Sequence, residues 1–340
     1  MYSNLNIQAP IALNDMLQTE NQVYQCPICE SNMQLSSFMP IDCKTGKKID
    51  HNKVFSCTEC TYGMVIPRPG IQDIAKYYDI SDYYTHSKSH FEEKKEISFW
   101  DKLRLHLAWR FDRGTGTIES LVNQILNNKT ANICELGCGG GKLLETLTLS
   151  GYNTYGVEVD LNAKVFLKGL NVYQGTAENI PEEVKSCKFD MVIMSHVLEH
   201  CLDPLYALDN VYDLLSPGGY FICEVPNNDS LGFDYAGVTW EMLDIPRHLN
   251  FFNSENLSLM CKKKGFKILN ITFLGYCRQF DNSWIDTESK IYQKIIEANV
   301  KPIPFPINNS RFRAWTLLLN SLFVKPEKKY DSLRIVAVKL

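Results

Sequence analysis

No window of this 340-residue sequence reaches the ~18 uninterrupted apolar residues that a membrane-spanning helix needs. The most apolar late stretch, Trp315–Val324, is shorter and is broken by Asn320 and Ser321. No transmembrane segment is expected. The stretch Met1–Glu20 lacks the basic start and apolar core of a signal peptide, so no export is expected either. Positive charge is not in excess: 35 Lys and Arg stand against 39 Asp and Glu, for a net charge of −4. That balance disfavours a chain built to neutralise nucleic-acid phosphates. No internal repeat is visible. With 45% hydrophobic and 22% charged residues, neither disorder nor a fibre is indicated. The length has room for one large domain plus an accessory module.

Cysteine is plentiful: twelve residues without a secretory signal read as reduced thiols and metal ligands in a cytoplasmic setting, not as a disulfide framework. Four fall in two tight pairs, Cys26-Pro-Ile-Cys29 and Cys57-Thr-Glu-Cys60, separated by 27 residues. Each pair can present two thiolates to one ion, and four thiolates satisfy structural zinc while leaving no open position for chemistry. A redox role is the competing reading of a lone pair. The run Pro67-Arg68-Pro69-Gly70 continues neither a helix nor a central strand and marks a boundary. The expected organisation is a tail (1–20), a zinc-ribbon-like module (21–70), a helical lead-in (71–128) and a catalytic domain (129–340) with an insertion at 276–330. The tyrosines Tyr77, Tyr78, Tyr83 and Tyr84 are read as a lid or as core packing.

From Ala131 on, apolar strands at Asn132–Glu135, Asn153–Val159, Met191–Ser195 and Tyr220–Pro226 alternate with helical stretches, the rhythm of parallel β-α-β units. Phe266–Leu274 and Ser332–Lys339 are expected to pair as a hairpin at a sheet edge. The first strand runs into Glu135-Leu136-Gly137-Cys138-Gly139-Gly140-Gly141-Lys142, a glycine loop that lets a ligand approach the backbone. A dinucleotide fingerprint would need glycine where Lys142 stands, and a phosphate loop would need Ser or Thr where Leu143 stands. Both fail. Glu135 would repel a pyrophosphate but could receive an ammonium group. Glu158, ending the next strand, is placed to accept hydrogen bonds from a ribose diol, with Asp160 as its competitor.

Glu135–Gly141 resembles the first motif of class I S-adenosylmethionine-dependent methyltransferases. Gly175-Thr176-Ala177-Glu178-Asn179-Ile180-Pro181 resembles that family's adenine-contacting loop, Phe189–His200 its fourth-strand motif, and Leu215-Ser216-Pro217-Gly218-Gly219 the turn before its fifth strand. The resemblance spans about Ala131 to Leu274. It implies a doubly wound, mostly parallel seven-stranded sheet and S-adenosylmethionine bound by Glu135, Gly137, Cys138, Gly139, Gly141, Glu158, Val159, Ala177, Glu178, Ser195 and His196. Thr176 stands where many relatives carry Asp, which leaves the adenine amino group to Glu178 or to backbone. The cysteine module together with Trp240…Asp244-Ile245-Pro246-Arg247-His248-Leu249 resembles a bacterial subgroup acting on sugars and small polar metabolites.

The sulfonium is an activated donor, so the main task is to hold the acceptor atom in line with it at ~3–3.5 Å. A hydroxyl acceptor needs a base, and His248, His200 and His196 are the histidines to consider. His248 leads because it lies beyond the fifth strand; a structural histidine bonded to a backbone carbonyl is the alternative. Arg247 and Trp240 are the acceptor-binding residues, Arg247 through its match to anionic groups or else as a surface ion-pair partner. The expected partner is a sugar or other small acceptor, with a homodimer contact, substrate wall, membrane-surface contact or plain packing open for Phe312–Phe323. A zinc-ribbon RNA methyltransferase and a non-catalytic cofactor-binding partner are the alternatives.

Overall fold

The computed structural model describes residues 23–70, 74, 76, 77, 97–112, 114, 116–160, 169–304, 308 and 310–340. The N-terminal tail and Tyr78, Tyr83 and Tyr84 of the expected lid lie outside the described residues. In chain order the elements are β1 (Met33–Phe38), β2 (Lys53–Cys57), β3 (Gly63–Ile66), α1 (Phe99–Phe111), α2 (Ile118–Ile125), β4 (Asn132–Leu136), α3 (Lys142–Leu149), β5 (Asn153–Glu158) and β6 (Val172–Gln174). Then follow α4 (Glu182–Lys185), β7 (Phe189–Ser195), α5 (Pro204–Leu214), β8 (Leu215–Pro226), α6 (Leu231–Ala236), β9 (Asn250–Phe251), α7 (Ser254–Lys263), β10 (Phe266–Leu274), α8 (Asn282–Glu297), α9 (Arg311–Ser321), α10 (Pro326–Lys329) and β11 (Ser332–Lys339).

Seven strands form one sheet in the order β10-β11-β8-β7-β4-β5-β6. The five from β6 to β8 run parallel, and β11 is antiparallel to both of its neighbours. Parallel strands are covered on both faces and read as near-continuous apolar runs. Met191 to Met194 of β7 are accordingly fully buried. The strand order reverses between β4 and β7, and in an open α/β sheet the crevice at the carboxyl ends of the strands around such a switch point binds the ligand. The hairpin of β10 and β11 forms at the edge as the sequence predicts. The turn expected at Leu215–Gly219 is instead the start of β8, with the register slipping between Phe189 and Met191.

A second, antiparallel sheet runs β1-β2-β3-β9. Its last strand comes from the far side of β8, so the cysteine module is closed by a strand of the larger domain. Cys26, Cys57, Cys60 and Tyr62 share a core with Phe252, Leu257 and Met260. The insertion carries α8, α9 and α10, and α9 packs Ala314, Leu317 and Leu318 inward while Phe312 and Leu319 face solvent. Among the described residues no helix is long and apolar enough to cross a membrane.

Candidate active site

The glycine loop leaves the carboxyl end of β4 and enters α3 through Gly141, whose φ of +71° is costly for any residue with a Cβ. Gly137, at φ +70°, is more constrained: a Cβ there would lie 2.4 Å from Val197 Cγ2. Gly139 sits at φ +51° with nothing within 4 Å of its Cβ direction, a cradle open to a ligand. Cys138 points the other way, its Sγ 2.9 Å from the place a Cβ on Gly156 would take, so only its backbone faces the crevice.

Glu158 binds the loop itself. Its Oε2 accepts from the Gly139 N–H at 2.7 Å and its Oε1 from the Val159 and Asp160 N–H groups at 3.0 and 3.1 Å. Glu135 is buried, and its Oε2 has no hydrogen-bond partner among the described residues. Burial, and secondarily the negative charge of Glu158, pushes the Glu135 carboxyl up to about 8. Two carboxylates facing a crevice with an orphaned oxygen make a site for a cation. The donor set fits an ammonium at Glu135 and a hydroxylated ring at Glu158, whose fourth lone-pair position is still open. Ala177 is buried below the β6 loop, with its carbonyl and that of Glu178 bonded by Asn210 Nδ2. Glu178 Oε1 accepts from the Asp203 N–H at 2.6 Å, at the start of α5.

Beyond β7 the backbone turns through His196, at φ +56°, into a short 3-10 turn, Leu198–His200. His196 Nδ1 lies 3.1 Å from Glu199 Oε1 and Nε2 lies 3.5 Å from Glu224 Oε1. Glu224 is opposite Ser195 in the β7–β8 register and also pairs with Arg334 at 2.9 Å. Burial opposes charge on His196, but the bonds to Glu199 and Glu224 outweigh it and raise the imidazole to about 9. His200 and His248 meet edge to face, their centroids 4.5 Å apart. His200 Nδ1 is 3.1 Å from the Arg247 carbonyl and His248 Nδ1 is 2.7 Å from that of Met242. Burial, helped by the His200 ring, lowers His248 to about 4.

A family model described as a methyltransferase domain matches residues 108–271, the stretch that holds β4 to β8 and every residue of the crevice above. Over these residues the chain carries a methyltransferase domain. Ubiquinone biosynthesis O-methyltransferases are among its relatives: that of Cereibacter sphaeroides is 25% identical over 50% of this chain and 73% of that protein. The Maricaulis maris protein of the same name is 32% identical over 36% of this chain and 51% of its own length. The chain thus spans between about half and three quarters of the curated relatives it matches. A solved S-adenosylmethionine-dependent methyltransferase from Archaeoglobus fulgidus, 22% identical, aligns with a TM-score of 0.44 over 65% of this chain and 93% of that one.

In the methyltransferase domain the segment after β8 is bolted down instead of open. Arg247 does not reach an acceptor, nor does it lie at the surface. It is 1% exposed, with Nη2 2.7 Å from Asp42 and 2.8 Å from Asp244, Nε on Asp244, and Nη1 on Asp42 and the Tyr77 carbonyl. A guanidinium so fully engaged has no donors left for an anionic acceptor group. Trp240 is buried against Phe233, its Nε1–H without a partner among the described residues. Sequence reasoning missed the roles of Glu199, Glu224 and Arg334, because a charged residue gives no signal of its partner until the sheet and the turn after β7 are assembled.

The four predicted cysteines converge. Cys26 and Cys60 Sγ are 3.6 Å apart, Cys29 and Cys57 3.3 Å, and Cys29 and Cys60 3.6 Å. Thiolates around tetrahedral zinc at ~2.3 Å stand about 3.8 Å apart, so these residues fit the ion.

Proposed function

We propose that the acceptor atom is a hydroxyl oxygen of a small polar molecule, a sugar, glycan precursor or related metabolite, and that His196 takes its proton. The observation that carries this reading is the position of His196: of the three histidines it alone lies between two carboxylates, and its neighbour Val197 touches the glycine loop at Gly137. Nδ1–H donating to Glu199 fixes the tautomer; because the imidazole is raised to about 9, it is the neutral ring, more populated as pH climbs towards 9, whose Nε2 accepts the proton, with Glu224 beside it to stabilise the imidazolium formed. Such a pair contributes ~10²–10⁴-fold. S-adenosylmethionine, when bound, supplies a methyl group already activated on a sulfonium. Glu135 would hold its ammonium and Glu158 its ribose hydroxyls, while Val159, Ala177, Glu178 and Ser195 line the rest of the crevice.

The names of the relatives favour oxygen as the methylated atom, and the net charge of −4 favours a small acceptor over RNA. The reading includes one structural zinc on Cys26, Cys29, Cys57 and Cys60, in a cytoplasmic setting where thiolates stay reduced. The test is S-adenosylhomocysteine release on incubation with panels of sugars, hydroxylated quinone precursors and RNA. Turnover on a sugar panel supports the reading. Turnover on quinone precursors alone keeps the O-methylation and replaces the acceptor class; turnover on RNA alone overturns both, and none on any panel favours a non-catalytic cofactor-binding protein.

A further inference from the structure

Glu199, His200 and His248 cluster beside the His196–Glu199 pair, and the methyl-transfer reading uses neither His200 nor His248. One ligand atom from each lies within 4.8 Å of the others. Glu199 is fully buried, and although its Oε1 faces His196, its Oε2 has no hydrogen-bond partner among the described residues. A buried carboxylate oxygen left bare is rare and marks a missing partner. The two rings are oriented from behind: His200 Nδ1 is held by the Arg247 carbonyl and His248 Nδ1 by that of Met242. Ligand histidines are oriented in this way, with the second ring nitrogen tied to a carbonyl so that the first points at the ion. The backbone fixes the group further, because the Leu249 N–H bonds the Glu199 carbonyl at 2.7 Å. His248 is thereby strapped to the turn that carries the other two residues.

We propose that Glu199, His200 and His248 form a second metal site, separate from the four cysteines, for a divalent first-row transition ion such as zinc. Two imidazoles and one carboxylate suit such an ion better than magnesium or calcium, which prefer all-oxygen shells. Ligands at ~2.0–2.2 Å around a tetrahedral ion stand ~3.3–3.6 Å apart, so ligand atoms that now lie within 4.8 Å of one another draw together as the ion binds. His200 is half-buried, which gives the ion a way in. The site stands whether or not His196 is the proton acceptor, because its readout is metal content.

Protein with any affinity tag removed is loaded with zinc, dialysed and assayed for metal per chain, alongside Glu199→Gln and His248→Asn. Two ions in the native chain and one in each variant are expected. A parallel cobalt titration needs no variant and covers the case in which these do not fold. The first equivalent is expected to show thiolate charge-transfer bands and the second only the weaker bands of a nitrogen and oxygen site. One ion in the native chain, a second ion retained by both folded variants, or a second cobalt equivalent with thiolate bands would overturn the proposal.

Discussion

Glu135 carries an electrostatic signature that binding must change. Its carboxyl is held up to about 8, by burial first and by Glu158 second. An ammonium beside it favours the charged form, so binding of S-adenosylmethionine releases a proton where pH is below that value. Affinity is therefore expected to rise as pH climbs from 6 towards 8 and to level off above it. Glu135→Gln removes the dependence and weakens binding at pH 8 about tenfold or more, one lost charge-assisted contact being ~1.5–3 kcal/mol; calorimetry in buffers of different ionisation enthalpy reads both. At His196 the expectation is kinetic. His196→Gln should lower kcat by ~10²–10⁴ with the cofactor Kd unchanged, and a matching rise in that Kd would instead give the ring a cofactor-binding role.

Among the elements, the glycine loop is the least tolerant. Gly137→Ala puts a Cβ at a left-handed φ and 2.4 Å from Val197 Cγ2, and the β7 turn behind it cannot recede from a packed sheet. A stability loss of ~1–3 kcal/mol is expected from denaturant unfolding, with weakened cofactor binding; an unchanged midpoint would contradict it. The long apolar strands were legible because both faces of a central parallel strand are buried, and β10 and β11 fall where their apolar runs do. The short ones were not. Val172–Gln174 and Asn250–Phe251 have too few residues for any period, and β9 becomes a strand only by pairing with β3. Glu158 and the cysteines could be placed from local pattern. Arg247 could not, since its partner Asp42 lies 205 positions away.

Across the molecule, the cysteine module and the methyltransferase domain are joined at the segment that carries His248. Arg68 donates to the Leu249 carbonyl at 2.8 Å and to Asn250 Oδ1 at 2.6 Å, Tyr62 donates to that same oxygen at 2.6 Å, and Asn250 Nδ2 reaches the Cys201 carbonyl at 2.7 Å. Asp42 closes the join by pairing with the buried Arg247. Asp42→Asn removes one of the two carboxylates that hold Arg247 and leaves Asp244 in place, so it is expected to cost about 1–3 kcal/mol in denaturant unfolding. Chelating the proposed zinc from the cysteines should raise amide exchange across 244–252 while leaving cofactor binding intact, because the crevice at β4 and β5 makes no use of the module.

The central claim is that Glu135, the glycine loop and Glu158 bind S-adenosylmethionine, and calorimetric titration of the folded chain tests it most directly, with NAD as the comparison ligand and Glu158→Ala as the variant. Micromolar binding of S-adenosylmethionine, none of NAD, and loss of binding in the variant are the predicted results. Folded protein that ignores S-adenosylmethionine, or a variant that binds it as well as the native chain does, would contradict the account.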